Sequence, residues 1–163
     1  MDAAPPEPAQ AYLQLRQRIF HFKPADLGLK PSVDLAHVWG VLMETGYDVG
    51  NATLVCLADG TTSLYYSTGG GMIGSSQYKP MAEASKGLVT EAERHLEHLA
   101  PTSDFPLPGA GEVRFYFLTY TGVLPAHATE SDLVSSQDPL TPLYERAQAT
   151  LSKLRLLAEK ERK

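Results

Sequence analysis

The chain has one cysteine, Cys56, in 163 residues. No intrachain disulfide can form, which excludes the stapled framework of a small secreted domain. It has no run of about 18 apolar residues, so no segment reads as a helix that crosses a membrane. Basic charge is in the minority, with 14 Lys and Arg against 19 Asp and Glu and a net charge of −5. A nucleic-acid or anionic-membrane surface needs a basic face, and this balance argues against both. The segment Met1-Asp2-Ala3-Ala4-Pro5-Pro6-Glu7-Pro8 has neither a basic stretch nor an apolar one. It therefore does not read as a secretory signal, and a cytoplasmic protein is expected. The G-x-S-x-G nucleophile elbow, the Gly-Lys-Ser/Thr phosphate loop, the H-E-x-x-H zinc motif and internal repeats are also missing.

What is present suits one globular core. Apolar residues make up 43% of the chain, and a chain near 150 residues buries about 68–70% of its unfolded surface. The reading divides the chain into a Pro-rich leader with a short helix over residues 1–31 and a single α+β domain over 32–163. Within the first part, Tyr12, Leu15 and Ile19 fall at i, i+3 and i+7, one stripe of a helix over 9–20. Ser32 as N-cap, Asp34 in the first turn and Gly46 as a stop then predict a helix from Val33 to Thr45 with almost no polar face. His37 lies inside it as a hydrogen-bonded structural histidine.

Residues 52–68 carry two β-branched and aromatic runs on either side of Asp59-Gly60, the pattern of a hairpin with a tight turn. The first run is apolar on both faces and is expected to be central, with Cys56 as a small buried hydrophobe. A glycine-rich loop follows. Met81, Ala84, Ser85, Leu88, Ala92, Leu96 and Leu99 then recur at spacings of three and four, an amphipathic helix from Pro80 to about Ala100. Glu112 to Tyr120 reads as a strand with Val113, Phe115 and Phe117 on one face. Val123 to Thr129 follows as a strand whose Pro125 belongs at an edge. Leu133-Val134 is a candidate extra strand, and a last helix follows Asp138. The expected fold is α+β: an antiparallel sheet of about five strands with helices packed on its faces, in the order α-α-ββ-α-ββ(β)-α.

Three features are candidates for chemistry. Gly69, Gly71 and Gly74 match G-x-G-x-x-G, yet the preceding strand reads as the second arm of a hairpin rather than the start of a βαβ unit. The alternative is an adaptable contact loop, and the binding candidates are Gly69, Gly70, Gly71, Met72, Ile73, Gly74 and Tyr78. His95 and His98 lie three apart among Glu91, Glu93 and Glu97, which reads as a solvated helix edge rather than a metal site. Ser75, Ser76, His127 and Asp132 have no spacing that joins them, and Tyr65, Tyr66, Tyr116 and Tyr120 could line a small pocket. No catalytic residue, cofactor or metal ligand is assigned.

The Asp-Gly hairpin "Leu-Val-Cys-Leu-Ala-Asp-Gly-Thr-Thr-Ser-Leu-Tyr", the glycine loop and the amphipathic helix after it resemble the roadblock family, which is related to longin and profilin-like sheets. That resemblance implies a noncatalytic, homodimeric scaffold that contacts other proteins, including small GTPases. Two other functions are open: an acidic chaperone of the secretion type, and a small-ligand sensor or enzyme that uses the glycine loop 69–74 with the tyrosines.

Overall fold

The computed structural model describes residues 7–74 and 77–161. Among the described residues the fold has four α-helices and a sheet: α1 (Gln10–Phe20), α2 (Lys79–Ala92), α3 (Glu130–Val134) and α4 (Thr141–Glu161). The strands are β1 (Val38–Tyr47), β2 (Gly50–Leu57), β3 (Thr62–Tyr66), β4 (Gly71–Gly74), β5 (Glu112–Thr119) and β6 (Gly122–Thr129). Among the described residues they form one six-stranded sheet, ordered β4-β3-β2-β1-β5-β6. Every neighbouring pair is antiparallel. The α+β class and the antiparallel sheet with helices on its faces are therefore as expected, with one strand more.

The sheet sits between two layers because its strands alternate two sets of apolar side chains. Val41, Met43, Leu54, Cys56, Phe115 and Phe117 join one core with Leu88 and Val89 of α2 and Leu143 and Leu151 of α4. Leu42, Val55, Tyr116 and Leu118 face the other way, together with Ile19 and Phe20 of α1. Phe105, on the long connection between α2 and β5, stacks on Phe20 with ring centroids 4.0 Å apart. Trp39 closes this second core by donating its Nε1–H to the Thr119 carbonyl at 3.1 Å.

The expected helix from Val33 to Thr45 is corrected to strand β1 with an irregular lead-in. Ser32 does act locally, since its Oγ accepts from the Leu35 amide at 3.1 Å, but this closes a turn and no helix follows. Residues Val38 to Gly46 are all buried, because β1 is an inner strand covered on both faces. A strand in that position shows no two-residue periodicity. Gly46 marks a close approach rather than a helix stop. A Cβ there would lie 1.9 Å from the Gly109 oxygen, because the 101–111 connection runs directly over β1.

The Asp59-Gly60 hairpin is present: the Gly60 amide donates to the Leu57 carbonyl and the Thr61 amide to Asp59 Oδ1. Pro125 is on an outer strand as expected. Leu133-Val134, read as a possible strand, belongs to the short helix α3, whose N-cap Thr129 accepts from the Asp132 amide. No helix among the described residues is long and apolar enough to cross a membrane.

Candidate functional site

The glycine run is a turn followed by a strand. Gly69 and Gly70 have φ of +110° and +79°, a region that glycine enters without a Cβ penalty. This sharp reversal lets Gly71–Gly74 pair back on β3 as β4. The turn forms one wall of a groove of about 220 Å³. Gly69, Gly70 and Gly71 face Ala11, Tyr12 and Leu15 of α1 across it, with Tyr65 and Tyr66 between them. Among the described residues no charged side chain lines it. The sequence candidates Gly69–Gly71 and the tyrosine pair thus meet in one place. The contribution of α1 was hidden, because Tyr12 and Leu15 look like an ordinary helical stripe.

The remaining candidates lie elsewhere. Met72 and Tyr78 pack against the core on the α2/α4 side, and the Lys160 ammonium stands 5.5 Å from the centre of the Tyr78 ring. Gly74 ends β4, paired with Thr62; the side chain of Ile73 lies outside the described residues, as do Ser75 and Ser76. His127 is on the outer strand β6 and Asp132 is in α3.

The α1 wall of the groove is fastened to the sheet through a buried polar network. Glu44 is fully buried under α1 and accepts two hydrogen bonds from Arg16, from Nε and Nη2, each 2.7 Å. Arg16 Nη2 also donates to the Phe105 carbonyl at 2.7 Å. Thr53 gives its hydroxyl proton to Glu44 at 2.8 Å, so Tyr12 must donate to Thr53 Oγ1, 2.6 Å away. Burial, with the nearby Glu44 carboxylate, pushes the Tyr12 phenol up to about 12, which keeps its proton in place. Among the described residues no buried side-chain N or O atom lacks a hydrogen-bond partner. The network is therefore structural: its bonds hold α1 on the sheet.

A second cleft, of about 300 Å³, is lined by His37, Glu93, Leu96, Glu97, Thr119, Thr121 and Leu124. Glu93 Oε1 accepts the amides of His37 and Val38 at 2.7 and 2.8 Å, and His37 Nδ1 lies 3.0 Å from Oε2. Partial burial raises this carboxyl. The backbone bonds from Val38 and His37, with the bond and charge of the His37 ring, outweigh it and hold the pKa below its ordinary value. Glu93 thus ties the lead-in of β1 to the end of α2. His37, expected inside a helix, is an exposed residue at the start of a strand.

His95 Nε2 lies 2.9 Å from Glu91 Oε2. Among the described residues no group of three or more His, Cys, Asp or Glu could hold a metal ion. Cys56 is buried, and burial pushes its thiol up to about 12.

These protonated groups set an alkaline limit. Tyr144 is also pushed up to about 12, by burial first and then by Glu130. Tyr12 and Tyr144 start from an ordinary value of 10.0. The folded state holds these protons where the unfolded chain releases them, so their contribution is intact below pH 10 and is lost as pH rises towards 12. Urea unfolding from pH 8 to 11.5 should show a midpoint that starts to fall above pH 9, the ordinary value of the Cys56 thiol, and falls more steeply above pH 10, where the tyrosines join it. Tyr12→Phe should flatten that fall; an unchanged slope would contradict the assignment.

Comparison with known protein families, with curated proteins and with solved structures returns no match for this chain.

Proposed function

We propose that the protein is a noncatalytic protein-interaction module that works as a homodimer. The observation that supports this reading best is the groove between α1 and the β3–β4 turn. Among the described residues it is lined by apolar and aromatic side chains and glycine backbone without a charge, the kind of pocket in which a partner's anchor side chain is desolvated. Its walls offer aromatic rings and glycine backbone, which suit contact rather than bond-making. The Tyr12 hydroxyl and the Arg16 guanidinium beside it are spent on holding α1 in place.

Multi-angle light scattering over roughly micromolar to millimolar concentrations is the direct test. A mass of two chains is expected, and a strict monomer throughout would remove the homodimer. The roadblock resemblance makes a small GTPase the first partner to titrate against it. A second reading, a small-ligand sensor, is favoured by the enclosure of Tyr65, Tyr66 and Gly69–Gly71 in that groove. It requires a thermal shift with an uncharged aromatic compound, and that shift should disappear in a variant with the groove filled by Ala11→Trp.

A further inference from the structure

We propose that the homodimer forms by antiparallel pairing of β4 with the β4 of a second copy. This inference rests on the homodimer reading and names the surface it uses. It comes from the unequal treatment of the two sheet edges. β6 is closed: the Thr102 amide donates to the Val123 carbonyl at 2.9 Å, in a bridge outside the sheet proper. That bond shows that position 123 turns its peptide groups outward. Strand parity gives position 125 the same orientation, and Pro125 has no N–H to offer there.

β4 is open. The Tyr66 amide donates to the Gly70 carbonyl at 3.1 Å, so parity directs the backbone of Gly70 and Met72 to β3 and that of Gly71 and Ile73 outward. Among the described residues no strand lies beyond β4. Residues 69–74 contain no proline and no charge, two of the devices that guard an edge strand; β4 has a third, its length of four residues.

A second copy is the occupant that fits. An antiparallel edge is complementary to itself across a two-fold axis. Despite the net charge of −5, this edge carries no charge to repel its twin. Head-to-tail addition of β4 to β6 would build an open fibre, and the Thr102 bridge and Pro125 obstruct it on the β6 side. Pairing therefore stops at two chains, with one sheet running through both. The groove lined by Gly69–Gly71 flanks this edge and would be partly shielded from water.

The test is analytical ultracentrifugation of the full chain and of Ile73→Pro. The outward N–H at position 73 is the one that proline removes, so the variant places on β4 the guard that β6 already has. Ile73→Lys is the second variant. The wild type should sediment as a dimer, and each variant should raise the dimer Kd about tenfold or more. Circular dichroism should show the fold retained. Hydrogen exchange on the wild type should slow at the Gly71 and Ile73 amides as concentration rises.

A wild-type monomer at roughly millimolar concentration would overturn both this inference and the homodimer reading. A wild-type dimer that keeps its Kd in both folded variants would overturn the β4 contact and leave the homodimer standing. Should both variants unfold, exchange decides: concentration-dependent protection at Gly71 and Ile73 supports the pairing, and its absence overturns it.

Discussion

Arg16→Ala should destabilise the fold by about 3–5 kcal/mol, the range seen when one partner of a buried ion pair is removed. The cost comes mainly from what is left behind. Glu44 is fully buried, and without the two Arg16 bonds it keeps only the Thr53 hydroxyl. The Phe105 carbonyl loses its donor as well. The guanidinium also lies over the Phe20 and Tyr116 rings, 5.0 and 5.8 Å from their centres, so packing is lost along with charge. Replacing both partners, Arg16→Met with Glu44→Leu, should recover most of the stability, because no charge is then stranded. Urea unfolding of the wild type, Arg16→Met, Glu44→Leu and the double variant closes a double-mutant cycle that measures this, with Arg16→Ala run beside it. A cost for Arg16→Ala below about 1 kcal/mol would show that the pair behaves as an exposed one.

Phe117→Ala should cost about 3–5 kcal/mol through the cavity it leaves. Phe117 is fully buried and stacks on Phe115 with ring centroids 6.5 Å apart. Its strand is paired on both sides, to Val41 of β1 and Leu124 of β6, so the backbone cannot close in on the space. The helices above it are braced against each other by the same cluster. Phe117→Leu, which keeps more of the volume, should cost distinctly less. A midpoint shift with an unchanged urea dependence would place the effect in the folded state.

The elements that the sequence revealed are those that carry a local signal of their own, although β2 and β5 are buried on both faces. In β5, Val113, Phe115 and Phe117 alternate with Arg114, and the Asp59-Gly60 turn shows its own chemistry. The stretch Val33–Thr45 misled because β1 is covered on both sides, and an apolar run without a period fits a buried helix as well as an inner strand. Gly40 held the missing signal. A Cβ there would come within 2.8 Å of a Leu57 methyl, a neighbour that exists only in a sheet. The groove was half legible, through its glycines and tyrosines. Its α1 wall depends on Arg16 finding Glu44 28 residues away, and no local pattern encodes such a pairing.

That separation also has a bearing on synthesis. Arg16 waits for Glu44 and for Phe105, 28 and 89 residues downstream. On the ribosome α1 is therefore made early yet docks late, once the segment that carries Phe105 has emerged. Until then its Tyr12, Ile19 and Phe20 are uncovered on the nascent chain, and a chaperone that reads such side chains would find them there first.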